Sequence, residues 1–346
     1  MRGTTAHARG HDKPDDLRIL RSRMHERSLR ALITADEMRR FSRPSGWHIA
    51  RDLALIWGQI VAAGALYVLY PAWWTFAGAF VLMAGGQHGL ALATHEFAHY
   101  AVCPGNRRLN DVLGRWLFGA PVGIPLAIFR DRHFEHHRTF STDGDPKTVY
   151  RHSVRGVHLF REIASGLLGW EFVDHARVAR ARHVRAAAGS AAPSLARALP
   201  PLLVAQAAVA MAFTLVASPW LYLTLWLLPL VTLSQLLQTL RAIVEHRPLE
   251  EHMGGHPGSG YYGGTAGPFV RSVRANWWER LLVCKLNFGY HAEHHLWPQV
   301  SYQHLPALRE RLEGAGAFAD ARFDREDTYG SALHKLWRPA GAGGMR

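Results

Sequence analysis

Apolar positions in this chain come in two long blocks rather than at a short period. From Leu53 to about Thr94, and again from Leu199 to Leu240, more than forty residues pass without one Lys or Arg. The first block breaks near Tyr70-Pro71 and the second at Ser218-Pro219. Proline at such a break is the punctuation of a tight turn. The four halves, roughly 53–70, 72–92, 200–217 and 219–240, each approach the roughly 20 residues that a membrane helix needs. The pattern predicts an all-α integral membrane protein with four transmembrane helices in two hairpins. Four buried helices of a soluble bundle would not need blocks of this length without a cation.

The stretch Leu109–Phe129 is also apolar, but Arg115, Pro121, Gly123 and Pro125 interrupt it. It reads as an interfacial or re-entrant segment, because a fifth span would divide the polar segments between the two sides of the membrane. Residues 1–51 are polar and Arg-rich and lack the apolar core of a secretory signal. They read as a cytoplasmic N-terminal segment, partly helical. Residues 52–312 form the membrane domain, and 313–346 a polar cytoplasmic tail, Gly-rich at its end and expected to be loosely ordered. No internal repeat is visible beyond the two hairpins.

Charge fixes the orientation. Residues 1–51 carry 12 Lys and Arg, 95–198 carry 15 and 241–346 carry 13, the whole complement of 40. By the positive-inside rule, both termini and the central loop face the cytoplasm. The formal net charge of +13 invites a nucleic-acid partner. Here, though, the cations are spread over every polar segment beside apolar blocks, which favours an anionic membrane face instead. The only cysteines, Cys103 and Cys284, lie too far apart in sequence to suggest a disulfide framework or a zinc-thiolate site.

Histidine changes the picture further. Among 22 His, three clusters stand in the polar segments: His95 and His99; His133, His136 and His137; and His291, His294 and His295. On a helix, positions i, i+3 and i+4 share a face, so each cluster aims its imidazoles one way. A lone pair at this spacing is commonly a surface accident. Two triads with the same Glu-His-His ending, plus a pair, on one predicted membrane face are not. Imidazole suits iron, copper, zinc and nickel alike. Number says more, since structural zinc takes four ligands and catalytic zinc usually three. Eight imidazoles suit two metals of larger coordination, and two irons with open positions for dioxygen is the economical reading.

These motifs resemble the membrane fatty acid desaturase and hydroxylase superfamily, defined by three histidine boxes. The likeness runs from about residue 50 to about 310. It rests on Asn287-Phe-Gly-Tyr-His-Ala-Glu-His-His-Leu-Trp-Pro continuing to Leu305-Pro306, and on Arg130-Asp-Arg-His-Phe-Glu-His-His-Arg followed by Asp143-Gly-Asp-Pro146. The resemblance implies a cytoplasmic helical cap holding a non-haem di-iron site and a ninth ligand, His246. It departs from animal-type acyl-CoA desaturases at Ala242, where they carry an Asn that completes the shell through water.

Ligating imidazoles usually give their second N–H to a carboxylate or carbonyl. Glu96, Glu135, Glu245 and Glu293, each beside a cluster His or His246, are candidates for that role, with Asp143, Asp145 and Asn287. Asn287 alternatively caps the helix bearing the third box. His88, seven residues before His95 and inside the second span, is a candidate for the substrate path or a hydrogen-bonded structural residue. His256-Pro-Gly resembles the haem-binding stretch of fused b-type cytochromes, but its surroundings are too short and Gly-rich for that domain.

The implied reaction removes hydrogen from an unactivated C–H bond with dioxygen as co-substrate, work for metals rather than for a protein acid or base. The expected substrate is a fatty acyl or related lipid, with desaturation as the first reading. Hydroxylation or ketolation of an alkane, carotenoid, sphingoid or specialised metabolite is the second. A metal-binding membrane protein without catalysis is a third, at odds with spans that offer little polar besides Gln59, Gln87 and His88. No CxxC pattern, dinucleotide fingerprint or haem domain is visible, so an external donor such as a ferredoxin is expected on the basic face. The Ala- and Arg-rich composition suggests a bacterial cytoplasmic membrane.

Overall fold

The structure is a computed structural model describing residues 29–139, 157–170, 173, 177, 195–246, 270–317 and 325–337. These residues are mostly helical. A short α1 (Ala35–Phe41) precedes two long helices, α2 (Gly46–Leu69) and α3 (Trp73–Ala98). Next come α4 (Arg107–Leu113), α5 (Leu126–Thr139) and α6 (Val157–Leu167). A second long pair follows, α7 (Leu195–Val216) and α8 (Pro219–His246). The chain closes with α9 (Trp277–Leu282), α10 (His291–Leu296), α11 (Leu305–Gly314) and α12 (Tyr329–Trp337). The two-residue strands β1 (Ser272–Val273) and β2 (Arg325–Glu326) pair in parallel.

Four helices are long and apolar enough to cross a membrane: Gly46–Leu69, Trp73–Ala98, Ala196–Val216 and Pro219–His246. They match the four predicted segments, falling one residue short at Leu69, Trp73 and Val216, and outrun them at their other ends. α3 continues to Ala98 and α8 to His246, so both carry histidines of interest on their last turns. Protein, not lipid, covers these ends: His95, Glu96, Phe97, Glu245 and His246 are all buried.

α3 is the central post. Of its most apolar window 67% is buried, against 17% for α2 and 11% for α7. Helices as apolar and as uncovered as α2 and α7 face a non-aqueous medium, because a water-exposed apolar face of that size is disfavoured. Close packing onto α3 depends on missing side chains. A Cβ at Gly86 would lie 2.5 Å from Cγ1 of Ile60, and one at Gly89 would lie 2.5 Å from Cδ of Lys285. α8 is irregular where Pro229 removes a backbone donor. A π turn, Tyr222–Leu227, precedes that proline, and Thr232 interrupts the helix after it.

The stretch read as re-entrant bends by 93° between Arg107–Val122 and Leu126–Thr139, the geometry of a broken span or a re-entrant segment. Gly123 sits at the bend with φ 75°, a left-handed conformation that glycine adopts without steric cost. The tail, expected to be loose, is ordered at α12, whose Tyr329, Ala332 and Leu336 are buried. An amphipathic helix of that length gains more from burying three apolar side chains than polar composition suggests. At the other end, Thr34 and Glu37 form a capping box on α1. The Thr34 backbone N–H, then the Arg311 guanidinium and the Thr34 hydroxyl, hold the Glu37 carboxyl down at about 2.

Candidate metal centre

Side chains tie the helix ends that carry the histidines to one another. The last carbonyls of a helix have no partner within it. At the end of α3 they are met from α4 and α5: Asn110 Nδ2 donates to the Phe97 carbonyl at 2.8 Å and Arg130 Nε to that of Ala98 at 2.9 Å. Arg130 also donates to Asp111 at 2.6 Å and lies over the Tyr100 ring, 4.0 Å from its centroid. Because Arg130 precedes His133 by less than one turn, the bonds that cap α3 also set α5 against it.

At the end of α8, Arg271 bonds the carbonyls of Glu245, through its backbone N–H at 2.8 Å, and of Val244, through its guanidinium. β1 then leads through Val273, whose N–H donates to the Gly289 carbonyl at 2.7 Å, to α10. Leu286 and Asn287, both with positive φ, turn the chain into that helix. Gly289 N–H donates to the Cys284 thiol at 2.9 Å, and burial pushes that thiol up to about 12.

Nine imidazoles converge as a result. His99 and His137 Nε2 lie 2.8 and 2.9 Å from His133 Nε2. His246 and His295 Nε2 lie 3.0 and 3.2 Å from His291 Nε2. One group with ligand atoms within 4.8 Å of one another is His95, His99, His133, His137 and His294. A second is His136, His246 and His295, and a third, sharing His246, adds His291 and Glu245. The nine thus fall into a five-histidine position and a four-histidine position. Each triad is split. Its i and i+4 members stay together, while its i+3 member, His136 or His294, goes to the other position. Adjacent residues on a helix diverge by about 100°, which is why one helix serves two positions.

The donor set fits a metal. A neutral imidazole has one N–H, so several Nε2 atoms packed within about 3 Å need a shared cation to accept their lone pairs. His95 is the clearest case. Its Nδ1 is 2.9 Å from Glu96 Oε1, while its buried Nε2 has no hydrogen-bond partner. Two donors each about 2.1 Å from one ion and at right angles stand about 3.0 Å apart, the spacing found here. Burial and the neighbouring imidazoles hold His291 and His295 well below the ordinary histidine value, in the neutral, ligating form. Aromatic rings wall the site: Phe129 stacks on His133 and Phe288 on His291.

The carboxylates behave differently from one another. Glu96 takes the outer nitrogen of His95, as a partner that orients a ligand does. Glu293 is buried but faces Ser272 and Arg309, with Arg309 NH1 2.7 Å from Oε1. Glu245 is buried between Arg241 and Tyr329, whose hydroxyl donates to Oε1 at 2.7 Å. Glu135 is half-buried on α5. Asn287 Nδ2 donates to the Tyr302 carbonyl at 3.1 Å, and the N-cap of α10 is Tyr290. His88 donates from Nε2 to the Val283 carbonyl at 2.9 Å, pinning α3 to the segment after α9. Asp143, Asp145 and His256 lie outside the described residues. Sequence reasoning missed Arg241, Tyr329, Arg309, Ser272 and Arg271. Arg241 has a visible signal, standing one turn before Glu245, while the others are brought in only by the fold.

Fold and site together define a helical membrane protein with a buried polyhistidine centre. Residues 71–326 match the model of the fatty acid desaturase family, and the chain belongs to that family. It is 25% identical over 272 residues to a beta-carotene ketolase of a Paracoccus sp., covering 75% of this chain and 93% of the relative. It is 28% identical over 296 residues to the human sphingolipid delta(4)-desaturase/C4-monooxygenase, covering 82% and 78%. A dihydrorhizobitoxine desaturase of Bradyrhizobium elkanii is 23% identical over 282 residues, covering 78% and 75%.

Proposed function

We propose that the chain is a membrane-bound non-haem di-iron oxidoreductase that uses dioxygen to introduce a double bond into a fatty acyl or related lipid substrate. The observation that carries this reading is the convergence of nine imidazoles on two adjacent positions inside a membrane-helix fold. His95, His99, His133, His137 and His294 would hold one iron, and His136, His246, His291 and His295 the other. Two irons bound there would supply dioxygen activation and hydrogen removal from an unactivated C–H bond. The protein's share is placement. Glu96 fixes the tautomer of His95, Phe129 and Phe288 exclude water, and Arg130 sets the boxes against each other.

The long helices read as two hairpins, α2 with α3 and α7 with α8, under a cytoplasmic cap formed by the shorter helices. Exposed Trp73, Trp74 and Trp220 mark the ends of α3 and α8 away from the histidines, and exposed Trp47 the end of α2 near them. Aromatic rings at both ends suit the two interfaces of a bilayer. Both termini and the centre then face the cytoplasm of a bacterial membrane, where an external donor such as a ferredoxin delivers electrons. Residues 52–312 act as the membrane domain between the N-terminal segment and the tail.

A second reading, hydroxylation or ketolation on the same scaffold, is favoured by similarity to proteins named ketolase and monooxygenase. Mass spectrometry of lipids from cells expressing the wild type or His295→Ala separates the two. A wild-type product lighter by two hydrogens, absent from the variant, is the expected result. A product heavier by one oxygen makes the chain a hydroxylase, one that gains an oxygen and loses two hydrogens makes it a ketolase, and identical lipid profiles contradict both readings.

A further inference from the structure

Three buried carboxylates adjoin the histidines, and only one lies on the metal side. Glu96 meets His95 at Nδ1, the outer nitrogen. Glu293 points away, toward Ser272 and Arg309. Glu245 instead brings Oε2 to 3.7 Å from Nε2 of His291. That nitrogen is the one on which His246 and His295 also converge, at 3.0 and 3.2 Å. Two donors each about 2.1 Å from one ion stand between about 3.0 Å apart at a right angle and about 4.2 Å apart across it. The Glu245 oxygen falls within that range without rearrangement.

Building on the di-iron reading, we propose that Glu245 is itself a ligand of the four-histidine position, raising it to five donors like its neighbour. Its surroundings suit the task. Tyr329 donates to Oε1 at 2.7 Å and Arg241 to Oε2, fixing the carboxylate beside His291. An ionised carboxylate accepts at about four sites across its two oxygens, so a hydrogen-bonded carboxylate can also ligate. The carboxylate also supplies negative charge where the neighbouring imidazoles are neutral, which a buried divalent ion needs. The two iron positions are therefore chemically unlike: one all imidazole, the other four imidazoles and a carboxylate.

The test is Mössbauer spectroscopy with metal analysis on purified, 57Fe-loaded full-length protein. Wild type is expected to hold about two irons, seen as two distinct quadrupole doublets of equal area. Glu245→Gln is expected to weaken one position at least tenfold, losing one doublet while the other persists unchanged. The surviving doublet shows that the fold is intact. If the stranded Arg241 cation prevents folding, the double variant Arg241→Gln with Glu245→Gln removes it and is read the same way. Two irons with unaltered doublets in the variant would overturn the ligand role and leave the di-iron reading standing. A wild type without iron would overturn both.

Discussion

A buried imidazole whose lone pair points at other imidazoles needs a cation to accept that lone pair, and it can serve the cation only while the ring stays neutral. His291 and His295 meet the second condition, through burial first and neighbouring imidazoles second. Their folded-state values lie below the ordinary one, so between the two the unfolded chain binds more protons than the folded one. Stability is then unaffected by these groups above about pH 6.5 and falls as pH drops below it. Metal-free protein in detergent should unfold at a lower temperature at pH 5.5 than at pH 7.5, read by circular dichroism. An unchanged midpoint would mean that these rings are solvated. The nine histidines were legible in sequence, eight by spacing and His246 by resemblance. Their division into five and four was not, because it depends on where α5 and α10 face each other. For the same reason the four candidate glutamates looked equivalent in sequence, although Glu96, Glu245 and Glu293 face three different ways.

At the scale of elements, the caps on α3 and α8 tie the helix ends that carry His95 and His246 to the neighbouring segments. Arg130 joins the open end of α3 to α5 through charged hydrogen bonds, each worth about 1.5–3 kcal/mol. Arg130→Ala is expected to destabilise the protein by about 3 kcal/mol and to lower bound iron, since the first and second clusters lose their common anchor. Iron analysis beside a thermal melt checks this, and full iron with an unshifted melt would contradict it. The four long helices were legible because proline breaks and uncharged blocks mark them. Their true ends were not, because protein packing replaces lipid around His95 and His246. α12 was missed because Gly-rich neighbours masked a short amphipathic segment whose Tyr329 reaches Glu245.

The whole molecule is organised around α3, with α2 and α7 uncovered and the histidines gathered at one end. With every cation outside the apolar blocks, the proposal is that both termini and the metal centre share one side of the membrane. Reporter fusions at the two termini should both report the cytoplasm, and a C-terminal fusion reporting the far side would overturn the two-hairpin topology. Metal content tests the di-iron proposal most directly. Full-length protein purified from iron-replete cells, analysed by inductively coupled plasma mass spectrometry, should carry about two irons per chain. Protein without iron, holding zinc tightly in its place, would contradict the account.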